Sequence, residues 1–262
     1  MIGFIGAGNM ASALMRGMLG KGRAGAELIA FDVDPGRMDA MRDLGVGVAR
    51  SARDVAERAE TIVLAVKPKD TPALLADLRE AGKVRDVLSI ITGWTQEMLM
   101  DALPAARGIA RAMPNTPALV GEGVIAFASN HTLQPARFEA LSLALSACGT
   151  IAVVEERLFD AVTGICGSAP AYCYMFIEAL ADAGVRHGLP RATAYALASQ
   201  TAIGAGRMVL ETGEHPGALK DAVCSPGGTT IEAVYALEKG GMRAAVMDAV
   251  DACVRKAQGL GK

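Results

Sequence analysis

The chain opens on Met-Ile-Gly-Phe-Ile-Gly-Ala-Gly-Asn-Met-Ala, an apolar run that breaks into glycines within six residues. The run is long enough for one strand, and residues 9 to 20 carry helical apolar spacing. A strand that turns into a helix through Gly6-Ala7-Gly8-Asn9-Met10-Ala11 fits the GxGxxG/A pattern. Gly6 allows the tight turn, Gly8 lets backbone approach a diphosphate, and Ala11 keeps the helix close to the sheet. The free amides at the helix start carry about half a positive charge and suit an anion. This one feature predicts an α/β sheet with a dinucleotide at the carboxyl ends of its strands.

The rest of the first half keeps that rhythm. Short apolar runs fall at 2–6, 28–31, 61–66, 87–91, 108–113, 124–128 and 150–154. Helical patterns lie between most of them, at 9–20, 35–44, 70–81 and 134–147. Continuous apolar strands separated by helices predict a parallel sheet covered on both faces. After about Glu156 the pattern changes. Apolar residues recur every three or four positions through 158–186, 191–212 and 241–258, broken at His187-Gly-Leu-Pro-Arg191. The expected fold is therefore an N-terminal Rossmann-type doubly wound sheet over 1–155, then an all-helical domain over 156–262. The helices are apolar around much of their circumference, more than a single chain should expose, so they are expected to be buried in an oligomer interface.

Composition narrows the function classes. Of 262 residues, 52% are apolar and the net charge is −2, with no Lys/Arg block to meet nucleic acid or an anionic membrane. The run Ala161–Ile177 is short for a span and is interrupted by Gly164, Gly167 and Pro170. With no leader pattern at the N-terminus, a cytoplasmic location is expected. Five cysteines and three histidines show no metal-ligand spacing. The thiols are expected to be free and mostly buried, and no metal is expected.

Cofactor choice is read at the end of the second strand, in Phe31-Asp32-Val33-Asp34-Pro35-Gly36-Arg37. Asp32 stands at the spacing of an acid that binds the adenosine ribose hydroxyls. Asp34 either joins it or caps the helix that starts at Pro35. Two acids repel a 2′-phosphate and favour NADH over NADPH, while Arg37 offsets them in part. Ala65-Val66-Lys67-Pro68 closes another strand and places Lys67 near a bound nucleotide. In Met113-Pro-Asn-Thr-Pro117, two prolines fix Asn115 and Thr116 in a turn suited to binding.

Near the C-terminus, Cys224-Ser-Pro-Gly-Gly-Thr-Thr230 joins two helical segments. It reads as a helix start whose amides are free to hold an anion, with Pro226 in the first turn of the helix.

Taken together, these motifs resemble pyrroline-5-carboxylate reductases over nearly the whole chain. The resemblance rests on "FIGAGNMA", "AVKP", "MPNTP", "DAVTGICGSAPAY", "ALADAGVRHGLPR", "HPGALKDAVCSPGGTTIEAV" and "LEKGGMRAAVMDAV". It implies an interlocked homodimer, larger assemblies of dimers, and reduction of 1-pyrroline-5-carboxylate to L-proline by NAD(P)H. Cofactor contacts map onto Gly6 to Ala11, the segment near Asp34, and Ala65 to Pro68. Substrate contacts map onto Ser225, Gly227, Gly228, Thr229 and Thr230, with Glu156 also near the substrate. Thr230 is the catalytic candidate, set beside the ring nitrogen. Three positions depart from the family pattern. Thr92 stands where a small residue is usual, Ala52 where an Asn meets the cofactor ribose, and Ala222 where an Asn precedes the signature loop.

Two rival readings remain. A β-hydroxyacid dehydrogenase shares the two-domain plan but needs a catalytic Lys on the long interdomain helix, and "TGICGSAPAYCYMFIEAL" has none. A nucleotide-binding sensor would use the N-terminal turn but gives no reason for the Gly228–Thr230 amides.

Overall fold

The computed structural model of the chain describes residues 1–82 and 84–259. In order, the first half runs β1 (Ile2–Ile5), α1 (Asn9–Gly20), β2 (Leu28–Phe31), α2 (Pro35–Asp43), β3 (Gly47–Val48), α3 (Ala52–Arg58) and β4 (Thr61–Leu64). It continues with α4 (Thr71–Ala81), β5 (Asp86–Ser89), α5 (Gln96–Ala102), β6 (Gly108–Pro114), β7 (Gly123–Ala128), α6 (Pro135–Leu145) and β8 (Gly149–Val154). The second half is helical: α7 (Phe159–Val162), a π turn over Thr163–Gly167, α8 (Ala169–Arg186), α9 (Arg191–Thr212), α10 (Pro216–Val223), α11 (Thr229–Lys239) and α12 (Met242–Gln258).

The strands form one sheet in the order β3-β2-β1-β4-β5-β6-β7-β8. β1, β4 and β5 are buried at nearly every position because helices cover both faces. One face packs Phe4, Leu14, Met18, Leu28 and Phe127 under α1, α2 and α6. The other packs Ile62, Leu64, Leu75, Val87 and Leu99 under α3, α4 and α5. Strand order reverses between β1 and β4, so the crevice for a ligand opens beyond their carboxyl ends.

The expectation of a wholly parallel sheet needs one correction. β7 runs antiparallel to β6, and β8 runs parallel to β7. Only Asn115–Glu122, with a 3₁₀ turn, joins β6 to β7. That is too short for a parallel crossover, so the chain reverses. β3, α3 and α5 also lie outside the expected elements; two or seven residues show too little periodicity to be read.

The backbone divides into two compact units, residues 1–168 with 253–262, and residues 169–252. The first continues past residue 155 because α7 packs Phe159 and Val162 beside Met113, Ala126 and Ala128. In the second unit α8 and α9 form a hairpin, turning at Gly188 (φ +95°) and packing on Ala181, Ala194 and Ala198. Little else in this unit is buried. Leu210 is 84% exposed, Met175 70% and Met247 69% in the single chain. A surface this apolar needs a partner to cover it. The cysteines are free, as expected, but only Cys148 is buried. Its thiol donates to the Leu14 carbonyl at 3.3 Å, and burial pushes its pKa up to about 11. No helix among the described residues is long and apolar enough to cross a membrane.

Candidate functional site

The N-terminal turn is built around a glycine that nothing else can replace. Gly6 has φ +97°, and a Cβ there would lie 2.5 Å from the Ala65 carbonyl oxygen. The ends of β1 and β4 meet at this point, and the Ala65 amide donates to Ile5 O at 2.8 Å. Gly8 then caps α1 with no side chain on the first amides. Helix-start amides left uncapped, beside a turn a Cβ would fill, fit a diphosphate.

Asp32 ties the turn to β2. Its Oδ2 accepts from the Ala7 amide at 2.7 Å and from Arg37 Nη1 at 3.2 Å, and its Oδ1 from the Asp34 amide at 3.0 Å. Burial raises its pKa, but these hydrogen bonds outweigh burial and hold the carboxyl below its ordinary value. With its side chain only 7% exposed, Asp32 shapes the turn. Asp34 caps α2, accepting from the Gly36 amide at 2.9 Å with Pro35 in the first turn. It is 53% exposed, and its Oδ2 lies 3.6 Å from Arg37 Nε. Arg37 therefore lies over both acids and beside Gly8. Val66, Lys67 and Pro68 follow β4 at the same edge; Lys67 is exposed, and Thr71 Oγ1 donates to its carbonyl at 3.1 Å.

Asn115 is turned inward. Its Oδ1 accepts from the Val124 amide at 2.8 Å, and its Nδ2 donates to Cys166 O at 3.0 Å. The side chain ties β7 to the π turn. Ala52 is buried at the start of α3, and Thr92 is half-buried in the loop after β5.

Glu156 sits in a second cluster in the same unit. Its Oε1 accepts from the Gln96 amide at 2.6 Å and from Arg111 Nη1 at 3.0 Å; its Oε2 accepts from Asn130 Nδ2 at 2.8 Å. Burial opposes the charge, yet these partners hold its pKa below the ordinary glutamate value. Arg111 is itself buried, with its guanidinium 4.5 Å from the centre of the Phe159 ring. Glu156, Arg111 and Asn130 line a cleft of about 760 Å³ together with Gly93, Thr95 and Phe159. Sequence reasoning missed Arg111, Gln96 and Asn130. The available signal was a lone Arg inside the apolar run 108–113.

In the helical unit, Ser225–Gly228 is an exposed turn. Gly227 takes φ +66°, the Gly228 amide donates to Ser225 O at 3.0 Å, and Gly228 caps α11 without a side-chain partner. The first helical amides are those of Thr229 and Thr230. A Cβ on Gly228 would lie 2.3 Å from Ser225 Oγ. Pro226 belongs to the turn, not to the first turn of the helix, because α11 starts only at Thr229. Ala222 is exposed on α10.

A dinucleotide turn at the switch point of a doubly wound sheet, followed by helices made to pair, defines a class: a nicotinamide-nucleotide oxidoreductase that works as a dimer. Known proteins narrow the class. A family model described as "Pyrroline-5-carboxylate reductase dimerisation" matches residues 156–260, and one described as "NADP oxidoreductase coenzyme F420-dependent" matches 1–93. The chain is 44% identical to the pyrroline-5-carboxylate reductase of Escherichia coli, over 100% of this chain and 98% of that one. It is 42% identical to the Synechocystis enzyme of the same name, with the same coverage. Among solved structures it is similar to Plasmodium falciparum pyrroline carboxylate reductase with NADP bound. The TM-score is 0.88 at 32% identity, covering 100% of this chain and 98% of that one. The chain belongs to the pyrroline-5-carboxylate reductase family.

Proposed function

We infer that the chain reduces 1-pyrroline-5-carboxylate to L-proline at the expense of a reduced nicotinamide dinucleotide. The observation that carries this is the pair of uncapped helix starts, at Gly8 and Gly228. One suits a diphosphate and the other a carboxylate. Functionally, 1–155 carry the nucleotide and 156–262 carry dimerisation and the substrate.

Gly6 to Ala11 hold the diphosphate, and Asp32 and Asp34 stand on the side of the adenosine ribose. Ala65, Val66, Lys67 and Pro68 border the crevice, and Asn115 fixes the end of β6 from within. When bound, the nucleotide supplies a hydride to the imine carbon. The substrate is held by Ser225 and Gly227, which shape the turn, and by the amides of Gly228, Thr229 and Thr230, which receive its carboxylate. The protonated ring nitrogen donates to the Thr230 hydroxyl, which fixes the face of the ring. As that nitrogen already carries the proton, it takes the electron pair of the C=N bond without a side-chain acid. In the interlocked homodimer, the loop of one subunit completes the site beside its partner's nucleotide, and dimers assemble further. The setting is the cytoplasm.

NADH is favoured over NADPH. Asp32 and Asp34 outnumber Arg37 by one charge at the place a 2′-phosphate would occupy. The test is turnover: mixed with 1-pyrroline-5-carboxylate, the protein oxidises reduced nucleotide and forms proline. Nucleotide binding without oxidation would favour a sensor instead.

A further inference from the structure

We propose that Glu156 is a positioning residue: by holding the Gln96 amide, it fixes the loop Ile90–Thr95 at the carboxyl end of β5, beside the crevice that receives the nicotinamide half of the nucleotide. The proposal rests on the oxidoreductase reading above and replaces a substrate contact for Glu156 with a role through the loop.

Ile91 and Trp94 pack the loop against the core, and few backbone bonds fix its path. The Ile90 amide donates to Leu64 O at 3.1 Å and the Ile91 amide to Ser89 Oγ at 3.3 Å, both at its upstream end. Gly93 takes φ +84° at its tip. Downstream, Thr95 caps α5 by accepting from the Met98 amide, a bond internal to the loop and its helix. At its downstream end Gln96 makes two bonds: its Nε2 donates to Ile109 O of the neighbouring β6 at 2.7 Å, and its amide donates to Glu156 Oε1 at 2.6 Å, across 60 residues of sequence. A carboxylate at the start of α5 is also well placed against the helix dipole.

Glu156 is itself held from two sides. Arg111 extends from β6, where it is in register with Ser89, the last residue of β5. Asn130 follows β7. Both oxygens of Glu156 are thus spent on protein donors, and its side chain is 17% exposed. A carboxylate so committed suits an anchor better than a substrate contact. Glu156 also stands directly before the segment that leads into the helical domain, so the anchor links that segment to the edge where the nucleotide sits.

The loop carries its own reporter. Trp94 is the chain's one tryptophan, half-buried against the α3–α5 face of the core. The experiment compares Glu156→Gln with the parent dimer by four readouts. These are acrylamide quenching of Trp94 without nucleotide, nucleotide Kd, KM for pyrroline-5-carboxylate, and kcat per titrated nucleotide site. The expected result is easier quenching, weaker nucleotide binding, kcat lower by about 10–100-fold, and KM for the substrate within about twofold. Asn130→Ala, which removes only the Oε2 partner, moves the same readouts in the same direction by less, and stands in should Glu156→Gln fail to fold. A raised substrate KM with unchanged Trp94 quenching and kcat would overturn the proposal in favour of a substrate contact. A lower melting temperature with all four readouts unchanged would overturn it in favour of a purely structural ion pair. Failure of the parent protein itself to turn over would count against the oxidoreductase reading, while Trp94 quenching would still test the anchor.

Discussion

Replacing Gly6 by Ala tests how the nucleotide turn is built. The added methyl meets two separate costs. At φ +97° an L-residue is strained, by about 1–3 kcal/mol. The new Cβ would also lie 2.5 Å from the Ala65 carbonyl oxygen and 2.7 Å from its carbon. Backbone cannot rotate away as a side chain can, so β1 and β4 must part, at a further cost of about 1–3 kcal/mol. The sum, about 2–6 kcal/mol, lowers the melting temperature by roughly 4–24 °C for a chain of this size. It also spoils the switch-point crevice, and nucleotide Kd rises by at least about tenfold. Gly22→Ala is the control. Gly22 has φ +93° but nothing within 4 Å of a Cβ, so it carries the strain without the clash. It loses the smaller share of stability and binds nucleotide normally. Thermal unfolding and fluorescence titration with reduced nucleotide read both effects. A Gly6→Ala protein that matches Gly22→Ala in melting temperature, and the parent in Kd, would refute the argument.

Three further outcomes follow from the same geometry. Asp34→Ser removes an exposed charge beside Arg37, and the ratio of kcat/KM for NADPH to that for NADH rises by about tenfold; an unchanged ratio removes Asp34 from cofactor choice. Thr230→Ala lowers kcat/KM for pyrroline-5-carboxylate by about one to three orders of magnitude with the dimer intact, and a value equal to the parent's ends its catalytic role. Glu156 has a folded-state pKa below its unfolded value, so its contribution to stability is complete above the unfolded value of about 4.3. That contribution is lost as pH falls through the lower folded value. Denaturant unfolding of the parent and of Glu156→Gln should therefore converge as the medium is acidified; a constant gap contradicts the ion pair.

The nucleotide turn was the most legible part of the chain, because Gly6, Gly8 and Ala11 answer to local backbone needs that a short window of sequence contains. The helical second half was equally readable, and the cap made by Asp34 is one of the two roles its position left open. Other features depend on partners far away in the chain. Asp32 stands at the spacing of a ribose ligand, and the bond it accepts from the Ala7 amide, 25 residues away, could not be read from that spacing. Asn115 reads from sequence as part of a turn suited to binding, and its side-chain contacts to Val124 and Cys166, which turn it inward, come only from the fold. The antiparallel β7 followed from the shortness of a connection, not from the composition of the strand. Arg111 was hidden within an apolar run, and only the fold brings it to Glu156 and Phe159.

The most direct measurement of the central claim is made on the unmodified protein with 1-pyrroline-5-carboxylate and each reduced nucleotide, following nicotinamide absorbance and the proline formed. The account predicts that nucleotide is consumed and proline appears in equal amounts, with the higher kcat/KM for NADH. Absence of proline with both nucleotides, from a protein that is folded and binds them, would contradict it.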